Sequence, residues 1–458
     1  MKSLSVFVLA VLSVLAFATP SAAQPPAAEG RLPLAAAVER ALGRFPSVES
    51  ARARQQEARE ALGEAETGLR PRGRFNASAI QYQEPMVVTP IHGFGPGLFP
   101  EFDETLFQGT LGLTWTLWDG GATGARVRSA ASQLEGAGAA LNAAEQALAG
   151  CVAAAYLTVL GQQQVLEAHD LRLEALEAEL SRVRQRFEVG RAAKVELLRA
   201  EAAQASAQAE RVRLSVAVDS AERELARLLE APVEETRAGR LVPVALADAS
   251  PPDREALEAI TAEGIAASPA VAQARAQLLA AEAGITLARS ALKPELRAIA
   301  NLNEWSSSRG DFTAEWNAGF QIAVPLFDSG ATRRRIARAE AARNAATEQV
   351  RLAEVQVREE VDRAVARAEE ARARIESLRS AVERFTEVAR VQKLLLDEGA
   401  GTQTDYLAAE ADLLAARASL AEVRNAAVLA RIDLARAAGR LSPDWLRGHV
   451  ANEGETTP

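Results

Sequence analysis

The chain has 458 residues, 48% of them hydrophobic, with a formal charge of −9 and a pI near 5.3. That length allows a large core or several domains, and the acidic balance argues against a nucleic-acid backbone as partner. The single cysteine, Cys151, can form no intramolecular disulfide and reads as a packed apolar thiol in mid-helix.

Residues 1–23 combine Lys2, an apolar run from Val6 to Ala18, and Ser21-Ala22-Ala23 before Gln24. This is the pattern of a secretory signal with a small-residue cleavage site. The run is shorter than the roughly 20 residues that span a bilayer, and no cysteine follows the cleavage site to carry a lipid. Beyond the signal no stretch approaches 18 uninterrupted apolar residues, so no transmembrane helix is expected. The mature chain is expected to be periplasmic, secreted, or a β-barrel of the outer membrane.

Residues 24–231 form a first repeat. After a Pro/Ala-rich lead, Leu32 to Arg70 reads as a helix interrupted at Pro46. A β-hairpin follows over 72–118, its two strands separated by a Pro/Gly-rich loop around Glu84–Glu101. On the second strand Phe107, Gly109, Leu111, Leu113, Trp115 and Leu117 alternate with Gln108, Thr110, Gly112, Thr114 and Thr116. Strict period-two alternation over about 11 residues is the length of a tilted membrane-spanning strand. The preceding strand alternates less cleanly through Phe75, Ala77 and Ala79. A corner, Trp118-Asp119-Gly120-Gly121, then opens a long α-hairpin over 121–230 whose Ala, Leu, Glu, Arg and Gln residues lose little on entering a helix.

Inside that hairpin Val127, Leu134, Leu141 and Leu148 fall seven apart, continued by Leu176 and Val183. Leu166, Leu173, Leu180 and Phe187 form a partner row, and together the rows describe a coiled-coil seam. The first break is Gly190, about 68 residues after the corner, giving a helix roughly 100 Å long.

Residues 232–252 cross to a second repeat, 253–440, which has the same parts: a helix, a β-hairpin over 295–327 and a long α-hairpin over 330–440. Asp119 and Asp328, Leu173 and Val382, Gly190 and Gly399, Glu196 and Asp405 are each 209 residues apart. Pro46 and Pro269, like Pro71 and Pro294, are 223 apart, so the first copy carries 14 extra residues in or around its loop. This is an internal duplication. The strand Trp316, Ala318, Phe320, Ile322, Val324 and Leu326 repeats the alternation, and Phe327-Asp328-Ser329-Gly330 repeats the corner. The tail, 441–458, is expected to be partly disordered. Two hairpins cannot close a barrel, and open edges are forbidden in lipid, so spanning strands would require several protomers to share one barrel.

The chain resembles the TolC-like outer-membrane efflux proteins over nearly all of its mature length. The resemblance is carried by Leu32-Pro33-Leu34, Ala36-Ala37-Val38, Ala41-Leu42 and Phe45-Pro46; by Val324-Pro325-Leu326-Phe327-Asp328-Ser329-Gly330, echoed by Leu117-Trp118-Asp119-Gly120-Gly121; and by Arg186-Phe187-Glu188-Val189-Gly190 leading to Glu196-Leu197-Leu198-Arg199-Ala200-Glu201, echoed from Gly399 through Asp405 to Glu410. Each motif is loose alone; their order, duplication and spacing are specific.

The resemblance implies a mainly α fold with membrane β-strands, in which a duplicated repeat of long α-hairpins and β-hairpins builds a trimeric 12-stranded β-barrel on an α-helical tunnel. It implies an outer-membrane location with the tunnel in the periplasm. It also implies a homotrimer that works with a periplasmic adaptor (membrane fusion) protein and an inner-membrane transporter, as the passive duct of a tripartite efflux or type I secretion system. Lipid would meet Phe107, Leu111, Leu113, Trp115, Leu117, Trp316, Phe320, Ile322, Val324 and Leu326. The corners are Asp119, Gly121, Asp328 and Gly330. Val189, Gly190, Glu196, Gly399, Gly401 and Asp405 match the periplasmic tips, where the family closes its tunnel and docks the adaptor. Glu196 and Asp405 read equally as solvated carboxylates favoured by a helix N-terminus. The arginine some relatives carry two residues after the second tip glycine is Gly401 here, which argues against a salt-bridge lock at that position, although Arg191, Lys194 and Arg199 lie nearby in the first repeat.

No catalytic constellation is expected. His92, His169 and His449 lie far apart, and no metal-ligand spacing, nucleophile elbow or P-loop occurs, so no enzyme activity, cofactor or metal is expected. Drugs, metal ions and proteins all stay open as cargo. The rival reading is a periplasmic or secreted coiled-coil scaffold without a pore, which leaves the amphipathic strands between helices unexplained.

Overall fold

A computed structural model describes residues 31–92, 99–246 and 254–452. The expected signal, residues 93–98 of the long loop, 247–253 of the crossing and 453–458 lie outside the described residues. The first repeat contains α1 (Leu34–Leu42), α2 (Pro46–Thr67), β1 (Arg72–Val87), β2 (Phe102–Trp118), α3 (Ala122–Glu188) and α4 (Lys194–Leu229). After β3 (Val244–Leu246) the second runs α5 (Arg254–Ala267), α6 (Pro269–Ser290), β4 (Glu295–Ser307), β5 (Phe312–Ala323), α7 (Ala331–Asp397) and α8 (Gln403–Ala437). The chain closes with α9 (Pro443–His449) and β6 (Val450–Asn452).

Helices α3 and α7 have 67 residues each, about 100 Å at 1.5 Å per residue. Prolines 46 and 269 stand at the first positions of α2 and α6, where a missing N–H costs nothing. Helix α3 packs against α2, α4, α6 and α8, while α7 packs against α5, α6 and α8. Small clusters hold the hairpins together at intervals: Leu173 and Leu176 on Ala207, Ala371 on Val423 and Ala427, and Ala389 on Ala409 and Leu413. Alanine dominates these layers, so the helix backbones approach closely and each layer buries little apolar area.

The large core lies where both repeats meet the crossing. Val38 and Ala41 of α1, Leu148 through Leu160 of α3, Leu225 and Leu229 of α4, Val428 and Ile432 of α8, and Leu241 pack as one cluster. Tyr156 is 0% exposed at its centre. Its hydroxyl lies 2.8 Å from the Leu32 and Val242 carbonyls and accepts from the Val242 amide at 2.7 Å. It thereby ties the start of the chain and the crossing to α3. Burial pushes the phenol well above its ordinary value. This packing also explains the one described helix that is long and apolar enough to cross a membrane by composition: the apolar window of α3 is half buried inside the protein.

From Leu441 to Asn452 the tail is folded: Ser442 caps α9 through the Trp445 amide (3.1 Å), β6 pairs antiparallel with β3, and Leu441, Leu446 and Val450 enter the large core. Two expectations are corrected. Cys151 is exposed, not packed, because Val152 and Ala153 occupy the core-facing positions of that turn. The second hairpin's outer strand ends at Ala323, whose partner Glu295 is the first residue of β4. Val324 to Leu326 therefore have nothing to pair with, and Pro325 has no N–H to offer.

The four long strands form a single antiparallel sheet in the order β1-β2-β4-β5, with the two repeats joined by the β2–β4 pair. Strands β1 and β5 are its open edges.

Candidate functional site

The pairing register sorts the sheet into two faces. One rung joins Phe75, Leu111, Leu302 and Trp316; the neighbouring rungs on that face carry Leu113 with Ala300 and Ala318, and Trp115 with Ala298 and Phe320. All ten residues expected to meet lipid are exposed in the protomer, from Leu117 at 40% to Leu326 at 92%. Val324 and Leu326 are exposed on the segment after β5 instead of on a strand. From Phe107 to Leu117 the apolar band runs about 33 Å along the strand, or ~25 Å tall at the tilt usual for such barrels. Trp115 donates its indole N–H to the Leu69 carbonyl at 3.0 Å, fixing the band's lower edge to the end of α2.

The opposite rungs are mainly polar. Arg74, Gly112, Asn301 and Asn317 share one; Asn76, Thr110, Asn303 and Glu315 share the next. Thr110 donates to Asn303 and Asn301 to Asn317, both at 3.0 Å. Ile299, opposite Thr114, interrupts this face. The polar side is concave and, with the first turns of α3 and α7, encloses about 1450 Å³ of open space.

The corners convert strand into helix by the same device twice. Asp119 Oδ1 accepts from the Gly121 amide (3.1 Å) and Oδ2 from the Thr123 amide (2.7 Å) and hydroxyl (2.6 Å). Asp328 accepts from the Gly330 and Thr332 amides at 3.0 and 2.7 Å. Each aspartate satisfies helix-end donors that have no partner inside the helix. Gly121 (φ 92°) and Gly330 (φ 82°) sit in left-handed backbone that a side chain would strain. Burial alone would push the Asp119 carboxyl up; the bonds from Thr123 and Gly121 outweigh it and hold the group below its ordinary value. Bonds from Thr332 lower Asp328 likewise.

At the tips Val189 caps α3 and is exposed, and Gly190 and Gly399 adopt φ of 74° and 75°. The Arg191 amide reaches back to the Arg186 carbonyl (2.7 Å) and Ala400 to Leu395 (2.9 Å), the Schellman closure of a helix. Gly401 also donates to Leu395 (2.9 Å), and a Cβ there would lie 3.0 Å from the Leu395 side chain. The backbone turn thus leaves little room for a side chain at this position. Asp405 accepts from the Thr402 hydroxyl (2.6 Å) while Thr402 Oγ1 accepts from the Asp405 amide (3.1 Å), a reciprocal cap of α8. Glu196 stands in the first turn of α4 and makes no side-chain hydrogen bond or ion pair among the described residues.

Contacts between the two hairpins near these tips involve residues that sequence spacing did not single out. Arg182 of α3 pairs with Asp397 of α7 and lies 3.5 Å from the buried Glu179. Arg199 donates to Thr404 at 3.0 Å, tying α4 to α8. Burial, with the Glu410 and Glu179 carboxylates close by, pushes the Tyr406 phenol up to about 12. Burial likewise raises Glu179. Glu179 falls between Leu176 and Val183 of the seam at helical spacing, the one signal that could have marked it. Among the described residues no group of three or more His, Cys, Asp or Glu could hold a metal ion.

The profile of the family described as outer membrane efflux protein matches residues 37–231 and 262–440, most of the chain. The chain belongs to the outer membrane efflux protein family. Outer membrane efflux protein BepC of Brucella suis biovar 1 is 24% identical over 402 residues, covering 85% of this chain and 84% of that protein. The outer membrane protein VceC of Vibrio cholerae superposes with a TM-score of 0.75 at 21% identity, covering 89% of this chain and 96% of VceC. The Campylobacter jejuni CmeC outer membrane channel gives 0.76 at 18% identity, covering 89% and 85%. These likenesses establish the fold as that of the TolC-like channels. Members of this outer-membrane efflux family are channels and not enzymes, and an outer-membrane channel is the role membership assigns to this chain.

Proposed function

We propose that three copies of this chain close a 12-stranded barrel in the outer membrane and continue it as a helical duct through the periplasm. The observation that carries this reading is the four-stranded sheet, apolar on one face across all four strands yet open at β1 and β5. Lipid tolerates no unpaired edge, so β1 of one copy must pair with β5 of the next until the ring closes. The polar face then lines water, and passage is passive, driven by an inner-membrane transporter reached through a periplasmic adaptor. The adaptor docks at the tips around Val189, Gly190, Glu196, Gly399, Gly401 and Asp405. Cargo moves from the periplasm or directly from the pump to the exterior.

The test is disulfide trapping in a Cys151→Ser background. Cysteines introduced in β1 at Ser78 and in β5 at positions scanned along the strand should yield a covalent trimer in the outer-membrane fraction. Cross-linking that never passes beyond dimers, at any register, contradicts a closed ring.

A further inference from the structure

The concavity beside the corners has a charge opposite to that of the chain. Arg70, Arg72 and Arg74 reach it from the passage between α2 and β1, Lys293 and Arg297 from the matching passage of the second repeat. Arg126 and Arg335 add to them from the starts of α3 and α7. Among the described residues two carboxylates line the same space, Asp119 and Glu295. Both are already committed: Asp119 to the Gly121 and Thr123 donors and, at 4.0 Å, to Arg126, and Glu295 to Arg297 through bonds of 2.6 and 2.8 Å. Arg70, Arg72 and Arg74 have no ion pair among the described residues, and the carboxylate that Arg335 senses, Asp328, is itself bonded to Gly330 and Thr332. In a chain of net charge −9 this is a local reversal of sign.

Helix α7 strengthens the point. Its first turn reads Ala331-Thr332-Arg333-Arg334-Arg335 with no acidic residue, at the end where the helix dipole disfavours cations. Asp328 caps this helix start with a single carboxylate against three arginines, so the turn keeps a net positive charge. Three arginines at one sheet end, Arg335 of this helix start and a concave polar wall converge on one space.

We infer that this concavity is an anion-binding and anion-selecting site on the passage, taking dissolved molecules that bear carboxylate or phosphate groups. This rests on the duct reading, in which each protomer contributes one such set and the three close a positive belt where barrel meets tunnel. Rings of Arg and Lys select anions in pores, and low-dielectric walls of one sign concentrate the opposite ion. The occupant is a solute and not a lipid headgroup, because the site lies on the polar face and the apolar band is on the other side of the sheet.

The experiment uses the full-length protein reconstituted in a phosphatidylcholine bilayer, with citrate added on the strand side and conductance recorded. Citrate reduces the current at concentrations where the trivalent cation spermidine does not. In an Arg70→Gln/Arg72→Gln/Arg74→Gln variant the half-blocking citrate concentration rises by about tenfold or more, and in Arg72→Gln alone by a smaller factor. Native mass of each variant confirms the assembled particle. Block by spermidine instead of citrate, or unchanged citrate block in an assembled triple variant, overturns the inference while leaving the duct intact. If adding phosphatidylglycerol to the bilayer abolishes citrate block, a headgroup occupies the site and the inference also fails. Absence of any conducting particle refutes the duct reading, and this site with it.

Discussion

Phe75 and Asn76 are adjacent on β1, both exposed in the protomer, and on opposite faces of the sheet. Phe75 stands in the apolar rung with Leu111, Leu302 and Trp316, between the ends of the band, where the account places the bilayer midplane. Arginine there costs about 2–4 kcal/mol per site on a lipid-facing strand, or roughly 6–12 kcal/mol for the three copies of a trimer. That is a large share of the 5–15 kcal/mol by which ordinary domains are stable. Asn76 lies on the polar face in the rung with Glu315. Arginine there meets water and a nearby carboxylate, and its effect stays within about 0.5 kcal/mol, as for other exposed substitutions. Phe75→Arg should therefore remove the assembled oligomer from the outer-membrane fraction, while Asn76→Arg assembles normally. If the two variants assemble equally well, the faces have been assigned wrongly or no strand meets lipid.

Asp119→Ala removes three donors' partner at the first corner and should lower stability by about 1–2 kcal/mol, read as an earlier urea midpoint. The native carboxyl lies below its ordinary value, so its contribution is complete above the unfolded value near 3.8 and is lost as pH falls through the depressed native one; the gap between wild type and variant should close on acidification over that interval and stay constant above it. Tyr156→Phe leaves the buried Val242 amide and its neighbouring carbonyls without their hydroxyl and should cost about 1–3 kcal/mol, with hydrogen exchange rising at 241–243 before elsewhere. Arg182→Ala cuts the α3–α7 tie near the tips; because partly exposed ion pairs are worth only about 0–1 kcal/mol, the thermal midpoint should hardly move while exchange quickens at residues 182–190 and 397–405. A large fall in that midpoint would mean that the tie supports the whole fold and not the tip alone.

Local signals carried most of what the sequence showed. Two long helices 209 residues apart, prolines at helix starts and period-two strands depend on neighbouring residues, and the resemblance rested on those same local motifs. The fold of residues 441–452 was illegible because it comes from Leu441, Leu446 and Val450 reaching a core built by residues hundreds of positions earlier. Cys151 was misread because α3 is packed by helices on several sides, and an alanine-rich turn shows no polar face to orient by. Tyr156, Glu179 and Arg182 act through partners on other elements, which spacing within one helix cannot reveal. Gly401 is instructive in another way: the resemblance implied an arginine there, and the structure shows a backbone turn in which a Cβ would crowd Leu395.

In the proposed duct one chain supplies a third of a closed membrane barrel. Membrane fractionation of the full-length protein, followed by native mass determination of the detergent-extracted particle, tests it most directly. A closed barrel of three chains yields a trimer from the outer-membrane fraction. A monomer or dimer recovered from the periplasm without detergent would contradict it.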